Sequence, residues 1–390
     1  MLRELIITIY LFLIKVFFSL FKLFPLKEHV LFIVSFGDNS KYVLDEMKRQ
    51  NIQHKVIVHC KKSSERYFLE YKDVSLVPLN SKNPYYFLVS IFHLATSKTI
   101  FVDNYFGFLS ATNFKKDVDC IQLWHASGAI KKFGLMDESV KHRSKKALDR
   151  FQQVYSKFNK VVVGSDTMSE IFQMAFGLTS KNILKTGIPR TDYFYKNSAE
   201  KVEIQQLNNR QVILYAPTYR DKELDEFKLK LDLDLMYKEL SKDYVVALRL
   251  HPAVKINSDI TVEYPNFVYD YSGSKYDINE LLLISDYLIT DYSSILYEYS
   301  ILNRPMIFFA YDLEEYINDR GLWEDYEKMV PGPVVRETSE IINFIREKSF
   351  NIETIKDFSL KWNRYSLGTS SENVVKAVFD TQSKKTKQYL

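Results

Sequence analysis

Two histidines each follow an apolar run typical of a buried strand. His125 lies in IQLWHASGAIKKFG, residues 121–134, and His251 lies in ALRLHPAV, where Pro252 restricts it to extended conformations. An imidazole at a strand end suits general base catalysis, because its ordinary pKa of about 6.5 leaves it largely neutral near pH 7. The alternative for each histidine is a purely structural role.

A second group of polar residues has the composition of a phosphate site. In YLITDYSSILYEYS, Asp291, Ser293 and Ser294 follow an apolar strand and precede apolar residues at helical spacing. Free N–H groups at a helix N-terminus, with hydroxyls beside them, can bind an anion. Glu298, one helical turn further on, could accept hydrogen bonds from ribose hydroxyls. The alternative is that Asp291 and Ser293 only cap the helix.

A third polar group follows another predicted strand. In YAPTYRD, Thr218 and Arg220 come directly after a strand that ends at Pro217. Three strand ends in the second half of the chain therefore carry hydroxyl, imidazole and guanidinium groups. Together these groups predict a pyrophosphate-binding site.

The elements that must position these residues alternate in a regular way. Short apolar runs alternate with amphipathic stretches from Glu28 onward, which predicts parallel strands with crossover helices. A polar stretch near residues 196–210 interrupts this rhythm, which restarts at QVILYAPTYRD. We therefore predict an α/β chain with two Rossmann-like, doubly wound lobes, residues 27–198 and 199–390, and a cleft between them.

Residues 1–26 form a separate apolar segment. The segment is a poor match to a secretory signal peptide. Glu4 offsets the positive charge expected at the start of such a peptide, and no small-residue cleavage site follows. A membrane-spanning helix is doubtful, because Lys15 and Lys22 interrupt the apolar run. The aromatics, leucines and spaced lysines favour a helix that lies in the membrane interface and ends at Pro25. The alternative is a buried first helix of the domain.

Composition excludes several classes of protein. The 390-residue chain is 46% apolar and has 53 Lys and Arg against 49 Asp and Glu, so its charge of +4 is too balanced for bulk nucleic-acid binding. The two cysteines, Cys60 and Cys120, have no CxxC spacing, which excludes a zinc ribbon and a disulfide framework. A reducing compartment fits this cysteine usage best.

Six motifs in chain order resemble those of the CDP-glycerol glycerophosphotransferase family of wall teichoic acid synthesis. The length, the N-terminal helix and VDNYF at 102–106 are most similar to the glycerophosphate primases of that family. The resemblance covers nearly the whole chain. The motifs are QLWHASGAIKKFG, GIPRTD, ILYAPTYRD, LHP, LITDYSSILYEYSILNRPMIFF and YDLEEYINDRGLW.

The resemblance implies a GT-B fold and a reaction. Glycerol phosphate would pass from CDP-glycerol to the ManNAc-GlcNAc disaccharide of an undecaprenyl-diphosphate-linked acceptor, with release of CMP. His125 would be the general base, and His251 would stabilise phosphoryl charge on the donor. No cofactor and no metal site are expected. The residues implied to bind CDP-glycerol are Thr218, Arg220, Asp291, Ser293, Ser294 and Glu298.

One position departs from the family pattern. Many family members have glycine directly after the first histidine, whereas this chain has Ala126.

Positive charge is concentrated after His125. Lys131, Lys132 and the run KHRSKKALDR at 141–150 lie in the predicted acceptor lobe. They could hold the lipid diphosphate and an anionic membrane surface, although a solvated helix face is the ordinary explanation of such a run. With Lys15 and Lys22, they predict a protein peripheral to an anionic membrane surface. The resemblance implies the cytoplasmic face of the cell membrane of a Gram-positive bacterium, where other teichoic acid enzymes are possible partners.

Several alternatives share these motifs or this fold. A glycerol or ribitol phosphate polymerase, or a second-step transferase of the same family, would carry the same motifs. A GT-B sugar transferase or a nucleotide-sugar epimerase would also bind a nucleotide in the second lobe. A membrane-bound scaffold would bind CDP-glycerol without turning it over.

Overall fold

The computed structural model describes residues 2–79, 81–197, 210–220, 228–251, 254, 260–273 and 276–387. The chain divides into two compact units. The first unit comprises Met1–Ala126, Phe133–Asp192 and Arg364–Leu390, and the second comprises Ser127–Lys132 and Tyr193–Asn363. The predicted boundary at 198/199 and most of the predicted linker lie outside the described residues, as does Pro252.

Within the described residues, each unit contains one parallel sheet. The first sheet has seven strands in the order β3-β2-β1-β4-β5-β6-β7, and the second has six in the order β10-β9-β8-β11-β12-β13. The predicted α/β fold with two doubly wound sheets is therefore confirmed. The strands are β1 (Lys27–Val34), β2 (Lys55–Cys60), β3 (Ser75–Pro78), β4 (Ser97–Val102), β5 (Asp119–Gln122), β6 (Lys160–Val162), β7 (Ile183–Leu184), β8 (Gln211–Ala216), β9 (Tyr244–Leu248), β10 (Val268–Asp270), β11 (Tyr287–Thr290), β12 (Met306–Phe309) and β13 (Val334–Val335).

Helices connect the parallel strands, as parallel pairing requires. They are α1 (Leu2–Phe21), α2 (Asp38–Arg49), α3 (Pro84–Thr96), α4 (Lys145–Tyr155), α5 (Asp166–Phe176), α6 (Asp192–Asn197), α7 (Leu233–Leu240), α8 (Ile260–Glu263), α9 (Ile278–Ile284), α10 (Ile295–Tyr299), α11 (Leu313–Arg320), α12 (Tyr326–Met329), α13 (Thr338–Glu347), α14 (Ile352–Trp362) and α15 (Ser370–Lys387).

Local sequence explains where several helices begin and end. The Asn83 side chain accepts a hydrogen bond from the Tyr85 N–H at the start of α3, and Pro84 occupies the first helical position. The Ser165 hydroxyl caps α5, which ends at Gly177 in the left-handed conformation (φ 65°). These caps fix the helices that return the chain to the next strand.

Each unit has its own hydrophobic core. The central strands of the first sheet read as continuous apolar runs, such as VLFIV in β1, because helices cover both faces. The core of the first unit includes Val374, Val375 and Val378 of α15. The core of the second unit gathers β8, β9 and β11 with α7 and α13. Burial of these aliphatic side chains is the main term that stabilises each unit.

The division differs from the predicted one at the C-terminus. The prediction assigned the C-terminal helices to the second lobe, whereas α15 belongs to the first unit. The Asp192 carboxylate accepts hydrogen bonds from the Ser370 and Ser371 N–H groups at 2.8 Å each, which caps the start of α15. The valines of α15 then complete the core of the first unit, which sequence periodicity alone does not reveal.

Helix α1 packs against the first unit with one face and exposes apolar residues on the other. Ile14 and Phe18 are buried, and Phe21 packs edge-on against Phe92 of α3. Leu5 and Phe12 are exposed. By length and composition alone α1 could also cross a membrane, since the stretch 4–21 has a mean hydropathy of 2.1 and is only 11% buried. The helix ends at Phe21, before the predicted stop at Pro25.

Candidate active site

His125 lies just beyond the end of β5, in a partly buried aromatic setting. Its ring stacks on Phe36, with centroids 4.1 Å apart and planes 17° from parallel, and it packs on Trp124 at 4.4 Å. Its Nδ1 lies 3.2 Å from the main-chain oxygen of Asp103. The prediction that this imidazole stands at a strand end therefore agrees with the geometry.

The hydrogen bond to Asp103 fixes the tautomer of the neutral ring. A carbonyl oxygen can only accept, so Nδ1 carries the proton and Nε2 keeps its lone pair. Burial lowers the pKa of His125 to about 4, and the nearby Arg190 charge acts in the same direction. The imidazole is therefore neutral near pH 7 and able to accept a proton at Nε2.

Asp103 connects this histidine to the loop after β1. Its buried carboxylate accepts hydrogen bonds from the N–H groups of Ser35, Phe36 and Gly37 at 2.8 to 3.1 Å. Burial raises the pKa of Asp103 to about 6, although these N–H donors favour the carboxylate. Gly37 has φ 107°, a conformation that favours glycine, and it precedes α2. Asp103 thus holds the loop that carries Phe36 against the His125 ring.

Further residues hold the main chain around His125. The Asn39 side-chain amide donates to the Trp124 carbonyl at 2.9 Å, and its oxygen accepts from the Arg190 N–H at 3.0 Å. Trp124 has φ 59°, which is costly for a bulky residue and persists only when its surroundings enforce it. The Arg190 guanidinium lies 3.4 Å from the His125 carbonyl. His125 is therefore held in one position by contacts from α2 and from the loop after β7.

Sequence reasoning missed Phe36, Asn39, Asp103 and Arg190 as supports of the site. Asp103 lies in the VDNYF segment and Arg190 in GIPRTD, both of which entered only as family motifs. The local feature that could have drawn attention to Asp103 is its position, as an acidic residue directly after the apolar strand β4. Its three N–H partners come from a loop more than sixty residues away, and spacing cannot reveal such contacts.

In the second unit, Asp291 joins the ends of β8 and β11. Its buried carboxylate accepts from the Thr218 N–H at 2.8 Å and from the Tyr292 N–H at 2.6 Å. Burial raises the pKa of Asp291, while the adjacent Arg220 acts in the opposite direction. Asp291 therefore holds the loops that follow β8 and β11. Its predicted part in donor binding is indirect, through the shape of these loops.

Arg220 is already engaged by protein groups. Its Nε and Nη2 donate to the Asp312 carboxylate at 2.7 and 3.0 Å, and Nη2 lies 3.1 Å from Asp291. Its Nη1 donates to the Thr218 carbonyl at 2.6 Å. The guanidinium also packs over the ring of Tyr316 at 4.9 Å. With most of its five N–H groups in use, Arg220 can offer at most a small part of its hydrogen-bonding capacity to a phosphate.

Ser293 and Ser294 lie at the predicted strand-to-helix turn. Both are half-buried, and the Ser293 hydroxyl is 3.5 Å from the Ile295 N–H, at the limit of a hydrogen bond. The following helix α10 is short, five residues. The two hydroxyls are placed together by the turn, as predicted.

Glu298 is fully buried and holds the segment that follows His125. Its Oε1 accepts from the Ser127 hydroxyl at 2.8 Å and from the Ser127 N–H at 3.3 Å. The neighbouring Gly128 packs directly on the Tyr297 ring, where a Cβ atom would lie only 2.5 Å from a ring carbon. In this structure the Glu298 carboxylate stabilises Ser127, and its contact with ribose stays a prediction.

His251 lies at the surface beyond the end of β9. Its ring packs against that of Tyr219, the residue between Thr218 and Arg220, with centroids 4.4 Å apart. Partial burial and the nearby Arg249 lower the pKa of His251. The Arg249 guanidinium donates to the carbonyls of Tyr271 and Gly273. His251 and Thr218, which follow the neighbouring strands β9 and β8, therefore lie at the same edge of the second sheet.

The predicted lysines do not form one group. Lys131 pairs with Leu322 in an antiparallel bridge, and its ammonium lies 5.6 Å from the Tyr316 ring centre. The Lys132 N–H donates to the Gly321 carbonyl. Assigning both lysines to the acceptor lobe was therefore wrong, because the segment Ser127–Lys132 packs with the second unit. Lys15 is exposed on α1, and Lys22 is half-buried just after it.

Among the residues that the structure describes, no cluster of three or more His, Cys, Asp or Glu side chains has the arrangement of a metal site. Cys60 and Cys120 are both free and buried.

The fold defines a class of α/β proteins with two Rossmann-like units; the first carries a neutral histidine after a strand, and the second carries hydroxyl groups after two strands. Residues 16–380 match the family model described as CDP-Glycerol:Poly(glycerophosphate) glycerophosphotransferase. The chain therefore belongs to the CDP-glycerol glycerophosphotransferase family, and it is a glycerophosphotransferase of teichoic acid synthesis. The resemblance stated from the motifs is confirmed.

Individual relatives agree with this assignment. The chain is 35% identical to the teichoic acid glycerol-phosphate primase of Bacillus subtilis (strain 168), over 96% of this chain and 97% of the relative. It is 33% identical to the primase of Bacillus spizizenii, over 95% and 96%. The structure of the wall teichoic acid polymerase TagF is similar, with a TM-score of 0.79, 27% identity, and coverage of 100% of this chain and 97% of that chain.

Proposed function

We propose that this protein transfers one glycerol phosphate from CDP-glycerol to the ManNAc-GlcNAc disaccharide of an undecaprenyl-diphosphate-linked acceptor, with His125 as the general base. The observation that carries the proposal is the His125 ring, held neutral with a lone pair at Nε2. The near-full-length similarity to two glycerol-phosphate primases supports addition of a first unit.

The chemistry is a substitution at phosphorus. His125 Nε2 removes the proton from an acceptor hydroxyl, whose oxygen attacks the phosphorus that carries glycerol. The bond from that phosphorus to the bridging oxygen breaks, and CMP leaves with the electron pair. The proton then passes from His125 to solvent. Such a reaction depends mainly on positioning and charge neutralisation, which an imidazole and hydroxyl groups can supply.

The second unit binds the donor in this proposal. His251, Thr218, Ser293 and Ser294 contact the diphosphate of CDP-glycerol. Arg220 contributes mainly through the loops that it stabilises, since Asp312 and Asp291 occupy most of its N–H groups. This division of roles separates side chains that touch the donor from those that shape the site.

Product analysis tests the proposal. Labelled CDP-glycerol and, separately, CDP-ribitol are incubated with a lipid-diphosphate disaccharide, and products are resolved by mass. The proposal predicts one added glycerol phosphate. A ladder of products would instead show a polymerase, a ribitol product would show a ribitol phosphate transferase, and binding without turnover would favour a scaffold.

We also propose that the protein binds the cytoplasmic face of the membrane peripherally through α1. The exposed face of this helix is apolar, and Lys15 lies on the exposed side, which suits the interface of an anionic bilayer. Phe12, which is 62% exposed, is replaced by glutamate as a test. We expect Phe12→Glu to lower sedimentation with anionic vesicles, whereas Leu360→Glu, at an equally exposed site in the second unit, should not. Equal sedimentation of the two variants would contradict anchoring by α1.

A further inference from the structure

The first unit contains two neighbouring cavities whose linings differ in chemistry. One, of about 430 Å³, is lined by Lys61, Arg143 and Arg150 together with aromatic residues, and we call it the cationic cavity. The other, of about 290 Å³, is lined mostly by apolar side chains of α1 and α3, and we call it the apolar cavity. Tyr10 and Phe108 line both cavities, so the two adjoin.

The cationic cavity lies at the carboxyl edge of the first sheet. Ser35, Lys61 and Asn104 line it, and they follow strands β1, β2 and β4. Ligands of parallel α/β sheets bind at this edge. The cavity is therefore in the position expected of a substrate site.

The charges of this cavity favour an anion. None of its lining residues is acidic, and three are basic. Arg143 packs over the Phe151 ring at 4.9 Å, which holds its guanidinium in place. Arg150 pairs with Glu4 of α1 at 2.9 Å, so that arginine also attaches the helix to α4. Lys61 is exposed at the rim. Guanidinium groups and a lysine are the side chains that recognise phosphate oxygens.

The apolar cavity favours a hydrocarbon. Ile14 of α1 and Phe87, Ile91 and Leu94 of α3 line it, and Ile14, Ile91 and Leu94 are buried. A ligand that fills both cavities must therefore carry an anionic phosphate head next to an apolar chain. That combination defines a lipid phosphate or lipid diphosphate.

The cationic cavity also shares a support with the proposed base. Ser35 and Asn104 line the cavity on either side of Asp103, since the Ser35 N–H donates to the Asp103 carboxylate at 2.8 Å and Asn104 is the next residue in the chain. The Asp103 carbonyl accepts from His125. Asp103 thus connects a wall of the cationic cavity to the proposed base.

We propose that the two cavities bind the lipid end of the acceptor, with its diphosphate in the cationic cavity and the first carbons of its chain in the apolar cavity. The inference rests on the proposed function, because it identifies where the acceptor of that reaction is held. Lys131 and Lys132, which were predicted to bind the lipid diphosphate, pack with the second unit. The inference assigns that role to Lys61 and Arg143.

Steady-state kinetics with two acceptors test the proposal. One is a long-chain lipid-diphosphate disaccharide, and the other is the same disaccharide as a simple glycoside without lipid or diphosphate. Lys61→Glu and Arg143→Glu should each raise the KM for the lipid acceptor by about tenfold, the value of a lost hydrogen bond to a charged group. The KM for the simple glycoside should not change. Lys62→Glu, with the same charge change next to Lys61 but outside the cavity, is the matched control.

A second variant tests the apolar cavity separately. Ser90, which lines it from α3, is replaced by tryptophan to fill the space. Ser90→Trp should raise the KM for a long-chain acceptor relative to one that keeps the diphosphate on a chain of a few carbons. An equal effect on both acceptors would overturn the assignment of the apolar cavity.

Three outcomes separate the possibilities. If the variants are active and have the same ratio of KM for the lipid acceptor to KM for the simple glycoside as the wild type, the inference is overturned. The proposed function would then remain intact. Absence of product from the wild-type protein with every acceptor would instead reject the proposed function. If Lys61→Glu and Arg143→Glu lose sedimentation with vesicles of phosphatidylglycerol in the absence of acceptor, these cations serve the bilayer surface and the acceptor assignment is wrong.

Discussion

A single methyl group at Gly128 should strongly destabilise the second unit. A Cβ atom there would lie 2.5 to 2.6 Å from three atoms of the Tyr297 ring. The ring cannot move aside easily, because it is fully buried and packs on Trp362 at 4.6 Å and on Phe358 at 5.5 Å. Either the backbone of the Ser127–Lys132 segment or the aromatic cluster must shift.

The magnitude follows from the depth of this overlap. Inserting one extra carbon into a well-packed core costs about 1–3 kcal/mol. We expect a value near the upper end, about 3 kcal/mol, because three ring atoms are contacted at once. The shift should also disturb the hydrogen bonds between Ser127 and Glu298, so the rate of transfer should fall with the stability.

The assay is urea unfolding followed by circular dichroism, with Gly107→Ala as the matched control. A Cβ atom at Gly107 would meet the Tyr105 side chain at 3.6 Å, an ordinary contact. Gly128→Ala should lower the midpoint, while Gly107→Ala should leave it nearly unchanged. A Gly128→Ala variant as stable as the wild type would refute the packing described for this segment.

Two further predictions concern charge. Arg220→Lys should lower the free energy of unfolding by about 2 kcal/mol, because an ammonium cannot reproduce the two bonds of the guanidinium to Asp312; an unchanged urea midpoint would contradict this. Burial lowers the pKa of His59 to about 3, so below pH 6.5 the unfolded chain takes up a proton that the folded protein does not, and stability falls as the pH falls. Between pH 7.5 and 5.5 the wild type should lose about 1 kcal/mol more stability than His59→Leu; parallel losses in urea titrations would show that His59 is not buried in its neutral form.

The sequence predicted the sheets better than the connections between distant parts of the chain. Apolar runs such as VLFIV in β1 and YLIT in β11 read directly as buried strands, because both faces of a parallel sheet are covered. The short strands β3 and β13 carry little periodic signal and were not predicted. The place of α15 depends on a cap from Asp192, more than 170 residues away in the sequence, and no local pattern encodes that contact.

The same contrast applies to the site. His125 was predicted at a strand end because the apolar run before it and the turn after it are local features. The roles of Asp103 and Arg190 were not predicted, since both depend on tertiary contacts to separate loops. Glu298 is a similar case: its hydrogen bond to Ser127, 171 residues away in the sequence, has no local signal, whereas its spacing from Ser294 does.

The measurement that tests the central claim most directly is the single-turnover rate of His125→Gln with CDP-glycerol and the lipid-diphosphate disaccharide, alongside the Kd for CDP-glycerol. Loss of a general base should lower the rate by about 10²–10⁴-fold. The Kd should stay unchanged, because His125 lies in the first unit and the proposed donor groups lie in the second. A rate within tenfold of the wild type, in a variant that is folded and binds the donor, would show that His125 is not the base.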